Sequence, residues 1–233
     1  WFNNRLNNFI RVYALLRLNR IDEGLHFAGQ YLGTFQEGSV NWFAFLENYL
    51  ILALHKQDYK LAASLCILAV DKGVFNLPVR RFVERWGLFI EYVKLISKEA
   101  DLDNGLTNSV ECIEYSLLSK DKGGLNLSIL VLESIKELQD LDLHRAEYHV
   151  ARLSKYSNKY LKGEFGDRSR LFIKLLLLSM KEEGEKLREK SAPVLVELKN
   201  TPPPRDPIAE VEIVPYEHLW DLVLELLQQQ VRQ

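Results

Sequence analysis

Cysteine is nearly absent from this chain: its 233 residues hold two, Cys66 and Cys112, in separate apolar stretches and without CxxC spacing. A disulfide scaffold and a thiolate metal site are thereby excluded, and two buried thiols in a reducing compartment are expected. Charge of one sign is equally scarce. Lys+Arg 30 stands against Asp+Glu 32, a net charge of -2, so no global field draws the chain to nucleic acid or to a membrane surface, and any such contact must be local. Long hydrophobic runs are missing too. The densest, 171–180, contains Lys174 and falls well short of the roughly 20 residues that cross a bilayer. The start, Trp1-Phe2-Asn3-Asn4-Arg5, has neither an initiating methionine nor the pattern of a signal peptide. The chain is therefore expected to be part of a longer one, with room upstream for a catalytic or DNA-binding module.

What is present is apolar material for a core, 47% hydrophobic residues against 27% charged, arranged with helical periodicity. Phe9, Ile10, Tyr13 and Leu16 show the three-and-four spacing, as do Phe82, Leu88, Phe89, Tyr92, Val93 and Ile96. Glycine, proline and asparagine gather where helix pairs would turn, at 33–39, 73–78, 101–108, 121–124 and 163–167. One long helix is expected from about Asp167 into the 190s, kinked or ended by Pro193, whose missing donor breaks the helical ladder. Pro202-Pro203-Pro204 and Pro207, followed by Val211-Glu212-Ile213, read as an extended connector. A last helix begins near Pro215, and its stripe of Leu219, Trp220, Leu222, Val223, Leu226 and Leu227 is too wide to stay wet.

Four short stretches align: Arg20-Ile21-Asp22-Glu23-Gly24, Asp58-Tyr59-Lys60-Leu61-Ala62, Asp101-Leu102-Asp103-Asn104-Gly105 and Asp142-Leu143-His144-Arg145-Ala146. Each runs polar, apolar, two spacers, small. Four residues on come Ala28, Cys66, Ser109 and Val150, and three further Tyr31, Ala69, Cys112 and Leu153. The small residues lie 38, 43 and 41 apart (62−24, 105−62, 146−105), which fits two antiparallel helices plus turns, the small residue admitting a close helix approach. Over residues 4 to 162 this pattern resembles the tetratricopeptide repeat, with Asp58-Tyr59…Ala62…Cys66…Ala69 as its best copy. Gly24 and Gly105 stand where that family has alanine. Tyr31, Cys112 and Leu153 replace its second small residue, and the helices are longer than its 34-residue unit. The chain also looks like uncharacterised bacterial helical-repeat proteins that share a turn of the kind Ser119-Lys120-Asp121-Lys122-Gly123-Gly124-Leu125-Asn126. The resemblance implies an all-α, right-handed superhelix of four antiparallel helix pairs, which with the long helix makes up residues 1–200; the connector over 201–214 and the C-terminal helix, 215–233, expected to dock as a cap, follow from their own residues.

Chemistry-bearing motifs are few. His144 and His149 are five apart, and on a helix they point about 140° from each other, too far for one metal. They are expected as interfacial histidines beside a packed Tyr148. The glycine-bearing turns match neither GxxxxGK[ST] nor GxGxxG, no GxSxG elbow occurs, and the run 181–190 reads as a solvated helix face. No cofactor, no metal and no enzymatic activity are expected. Two basic clusters, Arg80/Arg81/Arg85 and Arg168/Arg170/Lys174, keep nucleic acid as a minor alternative, though Glu84 and Asp167 interrupt them.

The remaining candidate is a concave surface lined by the first helix of each pair. Counting back from each small residue gives three rows: Phe9, Glu47, Ile90 and Val131; Tyr13, Ile51, Lys94 and Ile135; Arg17, His55, Lys98 and Gln139. The rows predict a groove of apolar anchors ending in cations, suited to a peptide or partner helix with acidic groups. Cations in a last helical turn also serve the macrodipole without any ligand. The expected role is a cytoplasmic, non-enzymatic protein-interaction scaffold; the alternatives are the regulatory or sensory half of a nucleic-acid-binding protein and an enzyme with a dispersed site, and a homodimer through the C-terminal stripe is the alternative use of that surface.

Overall fold

The structure is a computed structural model that describes residues 4–97, 125–140, 142–161, 166–203 and 212–230. The described residues form ten α-helices and no strand. They divide into two compact units, Trp1–Tyr115 and Ser116–Gln233, considered in turn.

The first unit holds α1 (Asn4–Arg17), α2 (Ile21–Tyr31), α3 (Val40–Lys56), α4 (Tyr59–Asp71) and α5 (Arg80–Ile96), with single 3-10 turns at Leu32–Thr34 and Val74–Asn76. Each helix packs on its neighbours in sequence, and α1 also packs on α3. Aromatic rings make the core continuous. Phe9 of α1 meets Phe45 of α3 with centroids 6.4 Å apart, and Phe43 of α3 meets Trp86 of α5 edge-on at 6.3 Å. Phe43, Phe45 and Trp86 are wholly buried.

The second unit holds α6 (Leu125–Gln139), α7 (Leu143–Tyr160), α8 (Asp167–Ser179), α9 (Gly184–Asn200) and α10 (Tyr216–Gln230). Ten of the fifteen residues of α6 are buried, which makes it the central helix of this unit. The C-terminal α10 packs on α6, α8 and α9 and buries Leu219, Trp220, Val223 and Leu226 there. A homodimer through this stripe would first have to strip α10 from its own unit. Pro215 sits one residue before α10, and its carbonyl accepts from the His218 and Leu219 N–H groups at 3.0 and 3.2 Å.

Three helix hairpins close in one way. The N–H of Arg20 donates to the Leu15 carbonyl (2.9 Å), Asp58 to Ala53 (3.0 Å) and Asp142 to Glu137 (3.1 Å). Each donor lies five residues beyond its acceptor, as in a Schellman helix end. Asn19 and Gln57 take the left-handed conformation there, with φ of 56° and 63°. In these three hairpins the polar residue that opens the aligned stretch, Arg20, Asp58 or Asp142, is thus at the N-cap position of the second helix. Asp58 accepts from the Leu61 N–H at 3.0 Å and Asp142 from the Arg145 N–H at 2.9 Å, satisfying donors the helix itself leaves open. The small residue one turn later is in close quarters. A Cβ on Gly24 would lie 2.6 Å from Cδ2 of Leu52, and Ala62 and Ala146 are fully buried. The copy containing Gly105, Ser109 and Cys112, and the turn at 119–124, lie outside the described residues. Asp58→Ala is expected to cost about 1 kcal/mol in urea unfolding, and Asp58→Asn much less, because the amide oxygen still caps.

Two expectations from the sequence are corrected. The helix from Asp167 does not run into the 190s: α8 ends at Ser179 and α9 begins at Gly184. The last carbonyls of α8 fold back onto Lys181 and Glu182, both donating to Leu178 at 3.0 Å. Gly184 then takes φ +55°, a conformation that glycine adopts without the Cβ clash other residues meet. The run 181–190 is therefore split by a turn, across which Lys190 pairs with Glu182. Pro193, in contrast, does not end its helix, since α9 continues to Asn200. Pro193 and Glu189 are both exposed, so water can take the Glu189 carbonyl that has lost its donor, which softens the usual penalty.

Candidate partner-binding face

The three rows predicted to line a groove separate into core and surface. On α1, Tyr13 and Arg17 are half-buried one above the other, the guanidinium 5.1 Å from the ring centroid. Phe9 is turned against Phe45. On α3, Glu47 accepts from Arg85 of α5 at 2.7 Å, Ile51 is only 7% exposed and His55 is half-buried. On α5, Ile90 is wholly buried and offers no surface to a partner, while Lys94 pairs with Glu91 at 3.4 Å. Lys98 lies outside the described residues. In the second unit, Val131 and Ile135 are core and Gln139 is exposed.

Two residues absent from those rows extend the exposed part. Leu6 and Ile10 are 56% and 53% exposed, and with Tyr13 and Arg17 they stand at spacings of four, three and four. On a helix this places all four within an arc of about 60°, a continuous stripe of three apolar residues ending in a cation. The signal was in the sequence: continuing the Tyr13–Arg17 line backwards reaches Ile10 after one turn and Leu6 after two. Periodicity alone assigns such residues to a core, because it records the face they share and not what covers it.

Four arginines of the two basic clusters, Arg80, Arg85, Arg168 and Arg170, are paired with carboxylates. Arg80 pairs with Glu84 at 2.8 Å and Arg85 with Glu47. Arg168 is only 6% exposed. Its Nε and Nη2 hold the Glu212 carboxylate at 2.6 and 3.1 Å, Nη2 also reaches Glu217 at 2.7 Å, and Nη1 donates to the Leu198 and Thr201 carbonyls at 2.8 and 2.7 Å. All five guanidinium donors are used, tying α8 to the C-terminal end of α9 and to the chain entering α10. Beside it, the Tyr216 ring stacks on Phe172 at 4.6 Å and its hydroxyl meets Ser169 at 3.1 Å. Burial pushes the Glu212 carboxyl up against the pull of Arg168, whose own pKa the two carboxylates hold above its already high value. The guanidinium stays charged at every pH, so the carboxylate is the titrating partner.

His218, near the start of α10, has a buried Nδ1 without a hydrogen-bond partner. Burial lowers its pKa against the opposing pull of Glu217 and Asp221. A lowered folded-state pKa gives stability that is present above the unfolded histidine range, near 6.5, and is lost as pH falls through the folded value. The urea midpoint is expected to fall between pH 7.5 and 5.5, and to fall less in His218→Gln. An equal fall in both proteins would assign the acid sensitivity elsewhere.

The remaining titratable groups of the second unit are spread over its surface and its helix contacts. His149 lies between Glu133 and Glu137, its Nδ1 and Nε2 at 3.5 and 3.7 Å from their carboxylates. His144 is exposed, and Tyr148, expected to be packed, is 65% exposed. It sits on the outer side of α7, away from Ala146, Val150 and Leu153. An open cleft of about 310 Å³ between α8 and α9 is lined by Asp167, Arg170, Leu171, Lys174, Glu197 and Thr201. Arg170 is turned onto Asp167 and the Leu161 carbonyl there. Among the described residues no group of three or more His, Cys, Asp or Glu is placed to hold a metal ion. Cys66 is buried, and its surroundings push the thiol far up from reactive ionisation. No helix among the described residues is long and apolar enough to cross a membrane.

No protein-family model matches the chain, and no curated protein or solved structure is significantly similar to it.

Proposed function

We propose that the chain is a non-enzymatic interaction scaffold of the cytoplasm, a tetratricopeptide-like right-handed superhelix that holds a segment of a partner against the first helices of its hairpins. The observation that carries this reading is the α1 stripe, where Leu6 and Ile10 are more than half exposed in line with Tyr13 and Arg17. Two large aliphatic side chains adjacent on one helix face form a contiguous apolar patch, which water disfavours and a partner relieves. The shared turn geometry of three hairpins and the side-by-side contacts of α1 with α3 and α3 with α5 support the repeat architecture. Apolar contact supplies most of the affinity, and Arg17 with His55 adds orientation and on-rate more than strength.

A phage-displayed library of random 16-residue peptides, selected on the full chain, tests this. Selected peptides are expected to lose at least about ten-fold in affinity for Ile10→Glu, which places a charge in the stripe. They should bind Val196→Glu unchanged, because Val196 is exposed in the second unit. Peptides indifferent to Ile10→Glu, or no selected peptide at all, would remove the basis of the proposal.

A further inference from the structure

Independently of the α1 stripe, we infer that α7 carries a binding face for single-stranded nucleic acid, with Lys155 and Lys159 on the phosphates and the Tyr148 ring as a stacking platform for a base. The sequence of α7 divides around the helix axis. At about 100° per residue, Tyr148, Tyr156 and Tyr160 fall on one half of the helix. The same half holds every cation of α7, Arg145, Arg152, Lys155 and Lys159, and both of its histidines, His144 and His149. No carboxylate and no aliphatic side chain falls among them. Glu147, the single acid of α7, lies about 60° beyond the edge of this arc, and the buried Ala146, Val150 and Leu153 lie on the other half. A chain whose charges nearly cancel thus gathers four cations against one acid on one helix, a local field that the net charge of -2 conceals.

The arc has a paired edge and a free edge. Beside α6, Arg152 pairs with Glu133 at 3.0 Å, Arg145 reaches Glu137 at 3.5 Å, and His149 stands between these two carboxylates. That edge is neutralised within the chain. On the other edge Lys155 and Lys159 are exposed, and no carboxylate of the described residues pairs with either. The Lys159 ammonium lies 5.0 Å from the centroid of the Tyr160 ring. Tyr148 is 65% exposed, and an edge-on contact with His149, centroids 5.4 Å apart, sets its direction.

The side-chain types select the ligand. Phosphates and carboxylates both answer the lysines, but an acidic peptide gains most of its affinity from aliphatic anchors, for which this arc has no aliphatic counterpart. A base instead finds a platform in the exposed ring, and the face of every base stacks. In a duplex those faces are closed against one another, so the strand must be single. From His144 to Lys159 the arc is about 22 Å long, room for several nucleotides.

Fluorescein-labelled 15-nucleotide oligo(dT) and oligo(U), followed by anisotropy on the full chain at about 50 mM salt, test the inference. Binding of either is the expected result, and the tighter of the two identifies the sugar. Lys155→Glu with Lys159→Glu should weaken it at least about ten-fold, and the corresponding glutamine pair should flatten the slope of log affinity against log salt by about 1.4, at about 0.7 per lysine. Tyr148→Ala should weaken binding about five-fold or more with the salt slope unchanged, and Tyr148→Phe should retain it. Lys181→Glu with Lys199→Glu, the same charge change on exposed residues outside α7, should stay within about two-fold of the parent. All these positions are on the surface, so helicity by circular dichroism should match the parent. Failure of both oligonucleotides to bind, equal competition by polyglutamate or by a DNA duplex, or unchanged affinity in Tyr148→Ala overturns the inference, and each leaves the α1 reading standing.

Discussion

Arg168→Leu is expected to destabilise the second unit by about 3 to 5 kcal/mol in urea unfolding, the range for removing one partner of a buried ion pair. Arg168 loses five hydrogen bonds in that variant, and the Glu212 carboxylate is left buried without its cation. Arg168→Lys should recover only a minor part, since an ammonium group has three donors on one atom and cannot span two carboxylates and two carbonyls. Lys174→Leu, on the exposed side of the same helix, should stay within about 0.5 kcal/mol of the parent. The pH dependence separates this account from simple loss of packing. Burial already raises the Glu212 pKa in the intact protein, and without Arg168 it rises further. A raised folded-state pKa favours the folded form below the unfolded carboxylate range and disfavours it as pH rises through the folded value. The penalty of Arg168→Leu should therefore shrink between pH 7 and pH 4, as Glu212 takes up a proton and the uncompensated charge disappears. A penalty under 1 kcal/mol at neutral pH, or one that does not change with acid, would mean that the cage contributes little to docking α10.

Phe43→Ala should weaken the first unit by about 3 to 5 kcal/mol. The ring is wholly buried and lies edge-on to Trp42 at 5.0 Å and to Trp86 at 6.3 Å, so truncation leaves a void between α3 and α5 that large, rigid neighbours cannot fill. Phe43→Leu keeps most of the volume and should cost roughly half as much or less. The near-ultraviolet circular dichroism of the tryptophans should fall in Phe43→Ala at temperatures where helicity persists. A variant that keeps both the melting temperature and this signal would show that α3 and α5 are not coupled through the ring.

The second unit contains two titrations of opposite sense close to α10. His218 loses stability on acidification, whereas Glu212 gains it. They act in different pH windows, around and below neutrality for the histidine and in the carboxylate range for the glutamate, so the acid limb of the stability profile should fall and then level before global protonation takes over.

The sequence by itself determined the helical class, the turns at 33–39 and 73–78, and the small residues Gly24, Ala62 and Ala146 at close approaches. These are local properties. A three-and-four spacing, an aspartate that caps the next helix, and a residue able to turn left-handed act within about ten residues, where the chain order is also the spatial order. The break at Gly184 was equally local, but a mixed charge run on both sides hid it. Tertiary structure alone decided which members of the apolar faces are covered. Ile51 and Ile90 share helix faces with exposed-looking neighbours and are core, while Leu6 and Ile10 continue the same kind of face into solvent. It likewise turned Arg168 from a member of a basic cluster into a buried cage, through carboxylates 44 and 49 residues away. Periodicity names the face of a helix, whereas burial depends on what arrives from elsewhere in the chain, and no spacing within a single helix carries that information.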